Sequence, residues 1–265
     1  MSTVWGAALI AVFAWWMSTG VILFAVHWAD RASAKARGRF AIFTFPFNLL
    51  GLWLLSSADV TVAGAYQGFV GALLVWGWVE LSFLTGAIVG QPVPATEGQS
   101  AWRRFGTALR ALIYHEAALV AALVVVAMLS VGLENRVGMA SFLILYLARV
   151  MAKLNLYFGV PRINIEFLPR ALAHLKTYFR QGPITFAFPV AITLLTIIFA
   201  VCAERLWTAE TDPIAVGFAL LSTLTALALL EHWLMVVPLP DAKLWRWLLP
   251  DAAVIPEDKG KTHGF

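Results

Sequence analysis

The chain has 265 residues, of which 61% are hydrophobic and only 13% charged, and its mean hydropathy is +0.80. A water-soluble domain carries about a quarter charged residues, so a soluble fold is excluded and a single polytopic membrane domain is expected. The net charge of +4 then reads as topology rather than nucleic-acid binding, and a lone cysteine, Cys202, rules out an intramolecular disulfide or a cysteine metal cluster.

Residues 4–28 form the first apolar span. No Lys or Arg precedes it, while Arg31, Lys35, Arg37 and Arg39 follow directly. That order is the reverse of an export signal and predicts a retained helix with its N-terminus outside. The second span, 40–57, is interrupted by Pro46 and returns through a short turn. The third, 61–90, holds Glu80 and two runs of small residues, Gly64, Gly68 and Ala72, then Gly86 and Gly90. Such ridges let helix backbones approach closely in a bilayer, within one chain as readily as between two. A loop at 90–101 and Arg103, Arg104 and Arg110 lead into the fourth span, 111–132, which opens with His115 and Glu116. The fifth, 138–158, closes with Arg149, Lys153 and Asn155.

The stretch 165–181 sets Leu168, Leu172, Leu175 and Phe179 at helical spacing and Arg170, His174 and Arg180 on another face. This predicts an amphipathic helix lying in the interface plane. Arg162, Arg170, His174, Lys176 and Arg180 would then meet anionic headgroups or a partner protein. The sixth span, 183–203, contains Pro189, and the seventh, 213–237, carries Glu231 and His232. A tail, 241–265, follows, within which a re-entrant piece at 245–249 is conceivable.

With seven spans, all Lys and Arg residues except Arg136 and Arg205 fall on one side. By the positive-inside rule that side is cytoplasmic, giving a periplasmic N-terminus and a cytoplasmic tail. The expected fold is all-α, a bundle of about seven transmembrane helices with an interfacial amphipathic helix. No internal repeat is evident, which weighs against a transporter built from inverted halves.

Ionisable residues in hydrocarbon cost at least a few kcal/mol each and are functional candidates by default. His27, Glu80, His115, Glu116, Glu231 and His232 all fall in the cytoplasmic half. They can bind a metal or the magnesium of a chlorin, or pair with one another and fix helix register. Neighbours in sequence lie about 100° apart on a helix, so His115 with Glu116, or Glu231 with His232, cannot both face one centre. The spacing matches neither a di-iron bundle nor a zinc protease. Twelve tryptophans are present. Trp5, Trp28, Trp102 and Trp207 suit interfacial anchoring; Trp15, Trp16, Trp53, Trp76 and Trp78 are more internal and are expected in helix packing or against a flat pigment.

Residues 152–181, AKLNLYFGVPRINIEFLPRALAHLKTYFRQ, and 230–247, LEHWLMVVPLPDAKLWRW, resemble signature segments of the PuhE-type family, photosynthetic complex assembly protein 2 of purple bacteria. WWMSTGVIL, WGWVELSFLTG and YHEAALVAAL are similar too, so the resemblance covers most of the chain. It implies a multi-pass protein of the bacterial inner membrane. Its role would be to aid assembly of the reaction centre and core light-harvesting complex and accumulation of bacteriochlorophyll. It implies no catalytic residues. On this reading His27, His115 or His232 are candidate axial ligands to bacteriochlorophyll, with Glu80, Glu116 and Glu231 setting their tautomers. A nascent reaction-centre or light-harvesting subunit is the other client. The rival reading is a membrane metalloenzyme that acts on a tetrapyrrole or lipid through a His/Glu site.

Overall fold

A computed structural model describes residues 2–96, 98–163 and 168–238. The expected tail, its re-entrant piece and the first part of the interfacial segment lie outside the described residues.

Among the described residues, seven helices are long and apolar enough to cross a membrane: α1 (Ser2–Asp30), α2 (Ala34–Ser56), α3 (Val62–Leu84), α4 (Ala101–Leu129), α5 (Val137–Phe158), α6 (Ala187–Trp207) and α7 (Asp212–Leu234). No named strand occurs among the described residues; Val160 and Gln181 make one isolated bridge. Large apolar side chains such as Leu9, Ile42, Phe43, Trp53 and Met128 point outward, which suits lipid and not water. Trp5, Trp28, Trp102 and Trp207 are exposed near helix ends, as interfacial anchors are. Cys202 is buried and free.

Local chemistry explains most helix ends. The side chains of Ser33, Thr61 and Ser100 accept the backbone N–H of Ala36, Gly64 and Arg103 in turn, each satisfying an orphan donor of a first turn. Pro213 and Pro189 fall in the first turns of α7 and α6, where no backbone donor is missed. Pro46 sits inside α2 without ending it.

Helix α3 is central, touching α1, α2, α4, α5 and α7, while α7 packs on α1, α3, α5 and α6. Glycines permit the closest crossings. A Cβ on Gly71 of α3 would lie 2.8 Å from the Gly51 carbonyl oxygen of α2, and one on Gly138 of α5 would lie 2.8 Å from that of Gly68. Gly68, in the ridge noted from sequence, is thus spent on packing within the chain.

Two boundaries differ from expectation. Helix α3 ends at Leu84, not at residue 90: Thr85 caps it, Gly86 takes a φ of +80°, and the Gly90 N–H returns to the Ala111 carbonyl of α4. Helix α4 begins at Ala101, ten residues early, because Ser100 caps an amphipathic first section that hydropathy alone passes over.

The described part of the interfacial segment is a 3-10 helix, Arg170–Tyr178, rather than an α-helix. Leu172, Leu175 and Tyr178 are buried against Phe83, Ala108 and Ala111. Their three-residue spacing gives one face on a 3-10 helix, whose side chains eclipse every third position. Asp30 at the end of α1 accepts the Arg170 N–H at 3.1 Å. Arg104 donates to the Tyr178 carbonyl at 3.0 Å, and the Tyr178 hydroxyl donates to the Val93 carbonyl at 2.7 Å. The segment is thereby clamped across the end of the bundle where α1, α3, α5 and α7 terminate.

Candidate ligand-binding cavity

At that end the helices bring together a buried group of charges. Glu80, one turn before the end of α3, meets Arg149 of α5, whose Nη2 is 2.7 Å from Oε2. His115 Nε2 of α4 lies 3.5 Å from Glu80 Oε1, and its ring stacks on Phe83 with centroids 4.0 Å apart. The next residue, Glu116, turns to α5 instead and pairs with Lys153 at 2.5 Å. The divergence of adjacent helix positions therefore sends His115 to α3 and Glu116 to α5. Because α4 starts early and α3 stops early, Glu80 and His115 share one level despite unequal distances from their helix starts.

The pair on α7 separates in the same way. Glu231 accepts the Trp15 indole N–H of α1 at 2.9 Å. His232 turns inward and is buried; its Nδ1 lies 2.8 Å from the Ala228 carbonyl, so Nδ1 donates and Nε2 carries a lone pair with no protein partner. His27 stands in the last turn of α1, half-buried and apart from the other two histidines' contacts.

Between these groups and the 3-10 helix lies a cavity of about 470 Å³, within the range of about 300–1,000 Å³ usual for small-molecule sites. Its wall is mostly apolar, with Leu23 of α1, Phe83 and Leu84 of α3, Leu112 of α4, Leu156 of α5 and Leu172 of the 3-10 helix. Among the described residues, the ionisable side chains on it are Arg149, Lys153, Arg162 and Glu231, with Trp15 beside them. Among the described residues no histidine lines it, and Glu80 and Glu116 stand behind Arg149 and Lys153. Among the described residues, no three His, Cys, Asp or Glu side chains group closely enough to hold a metal ion.

The basic residues expected at a surface divide. Arg170, Lys176 and Arg180 are exposed. Arg162 instead turns to the cavity and the end of α7, donating to the Val237 carbonyl at 2.7 Å. His174 is half-buried with Nε2 lacking a partner, and that desolvation holds its pKa below the usual value.

In the sequence alone Arg149 and Lys153 mark the cytoplasmic end, and Trp15 is expected in helix packing or against a flat pigment. The signal for the first two was present: two cations four residues apart inside an apolar span meet the same criterion as the buried carboxylates.

A family described as a protein of unknown function (DUF3623) matches residues 1–254. A relative from Rhodobacter capsulatus, described as an uncharacterized 30.4 kDa protein in the puhA 5' region, is 44% identical over 269 residues, covering 99% of this chain and 95% of its own length. No solved structure matches the chain.

Proposed function

The chain belongs to the DUF3623 family, and from that premise we propose that it is a photosynthetic complex assembly factor of the bacterial inner membrane. It aids assembly of the reaction centre and core light-harvesting complex and the accumulation of bacteriochlorophyll. The observation that carries this reading is the apolar cavity at the basic end of a membrane bundle, in a chain whose relative is named for its place beside puhA, a gene of a photosynthesis region. The positive-inside rule puts this end in the cytoplasm, the N-terminus in the periplasm and the cavity near the inner leaflet. Arg170, Lys176 and Arg180 then face anionic headgroups or a client subunit.

The client is an apolar pigment or a segment of a nascent subunit. A chlorin would be held chiefly by its apolar body, with its carbonyl oxygens accepting from Arg149 and Lys153, because the wall presents no imidazole. His232 Nε2 is the one axial-ligand candidate left with an open lone pair after a settled hydrogen bond on Nδ1; it serves only if the ring turns out of its buried site. The metalloenzyme reading draws no support from the grouping of side chains described above.

The test is deletion of the gene in a phototrophic host, with complementation by the wild type and by Ala152→Phe, which fills the cavity from α5. Deletion is expected to lower the near-infrared absorption of the reaction centre and core antenna and the bacteriochlorophyll content per cell. The Ala152→Phe protein, present at normal level, is expected not to restore them. Unchanged absorption and pigment in the deletion strain would refute the assembly role.

A further inference from the structure

The cavity wall is unbalanced in hydrogen-bonding capacity. Lys153 carries three N–H donors and Arg149 five. Glu116 takes one contact of Lys153 and Glu80 one of Arg149, which leaves further N–H groups of both; Arg149 Nε, also without an acceptor, is itself buried. Among the described residues the wall carries one carboxylate, Glu231, and it already accepts from Trp15. Donors thus outnumber acceptors along one strip of α5, and the remaining described wall is mostly hydrocarbon, broken by Thr19, Tyr157, Arg162 and Tyr178. An unmet charged donor in an apolar enclosure is costly, so the complement of this wall is a molecule with acceptors at one end and an apolar body at the other.

We propose that the cavity binds an anionic amphiphile, its carboxylate or phosphate head held by Arg149 and Lys153 and its apolar body packed toward α1, α4 and the 3-10 helix. A small hydrophilic anion leaves the hydrocarbon wall unused. A neutral lipid leaves the donors unmet. Glu80 and Glu116 anchor the two cations from behind and fix the direction from which a head group is received. This rests on the cavity being the receiving site of the assembly factor and narrows what it receives; among tetrapyrroles it selects one with a free propionate over its esterified form.

The experiment uses the full chain in nanodiscs of neutral lipid and competition against a bound fluorescent fatty acid. The competitors are hexadecanoate, hexadecyl phosphate and hexadecanol, then bacteriochlorophyllide beside bacteriochlorophyll. Both anions are expected to compete about 10–100-fold better than the alcohol, the effect of one charge-assisted bond. Their ranking tells carboxylate from phosphate, and bacteriochlorophyllide is expected to outcompete its ester. The paired variant Glu116→Gln with Lys153→Gln, which leaves no lone charge and keeps Arg149, is expected to cut the preference about tenfold while keeping the alcohol's affinity. Ala152→Phe, or Leu112→Trp on α4 if the first fails to fold, is expected to abolish binding of all probes. Equal competition by alcohol and acid, or probe binding unaffected by a folded cavity-filling variant, overturns the proposal. If Ala152→Phe loses the probes yet supports normal assembly, the assembly role of the cavity fails and the ligand assignment stands. If head-group preference is absent while Ala152→Phe blocks assembly, only the ligand assignment fails.

Discussion

Replacing Arg149 with methionine tests whether the charge cluster holds the bundle together, because the two partners of the Arg149–Glu80 pair are unequally buried. The Glu80 side chain is 7% exposed and that of Arg149 33%. Without the guanidinium, Glu80 keeps only His115, whose Nε2 at 3.5 Å is too far for a hydrogen bond. Removing one member of a buried pair costs about 3–5 kcal/mol; the partial access of Arg149 to the cavity lowers this to about 2–4 kcal/mol. The reverse change, Glu80→Gln, leaves a cation that can still reach the cavity and costs about 1–2 kcal/mol. The double variant leaves no buried charge unmatched and is expected to be more stable than Arg149→Met alone, with a coupling of at least about 1 kcal/mol. Reversible denaturation in one defined detergent, followed by circular dichroism, measures the cycle. If Arg149→Met unfolds within about 0.5 kcal/mol of the wild type, or the two changes simply add, the pair does not lock α3 to α5 and this reasoning fails.

Four further outcomes are expected. Gly138→Ala places a methyl group 2.8 Å from the Gly68 carbonyl oxygen and closer still to Leu55, so it should destabilise by about 1–3 kcal/mol. Gly77→Ala on α3 meets nothing within 4 Å and should be neutral or stabilising in the same denaturation assay. Asp30→Ala removes the carboxylate that accepts the Arg170 N–H and should loosen the 3-10 helix by about 0.5–2 kcal/mol, read as faster amide exchange at 170–178 with α1 to α7 unaffected. Because His174 has a pKa below the ordinary imidazole value, the unfolded segment binds the extra proton first. Stability of the 3-10 helix should therefore be full above about pH 6.5 and fall as pH drops below it, and His174→Asn should remove that component of the exchange profile.

The seven spans were legible because about 20 consecutive apolar residues are a requirement of the bilayer itself. What hydropathy misplaced were ends governed by single residues. Ser100 starts α4 among arginines that no lipid-scale window accepts, and Thr85 with Gly86 stops α3 inside a run that still reads as apolar. The segment after α5 was legible as amphipathic, but Leu168, Leu172, Leu175 and Phe179 suggested an α-helical period, whereas Leu172, Leu175 and Tyr178 show a period of three. In the candidate site, the carboxylates and imidazoles were found because any ionisable group in a span stands out. Their partners could not be assigned, since pairing depends on which helices adjoin. Only the placement of α3 against both α4 and α5 makes Glu80 the shared neighbour of His115 and Arg149.

The geometry of the cluster also bears on whether it is scaffold or site. Ion pairs that serve only to fix helix register can be replaced by apolar side chains of similar volume with no loss of stability, and often with a gain. A purely structural pair would be sealed equally on both sides. Here one pair is sealed unequally, with Glu80 more deeply buried than Arg149; Glu116 and Lys153 are buried alike, and they differ in that Lys153 lines the cavity and Glu116 does not. The carboxylates serve the packing and the cations serve the cavity. Each pair therefore does two things: it ties α5 to α3 or to α4, and it keeps an ammonium or guanidinium ionised in an apolar enclosure where it would otherwise be too costly to hold. An arrangement of that kind keeps positive charge in readiness beside hydrocarbon, which is what the proposed capture of an acceptor-headed apolar client requires.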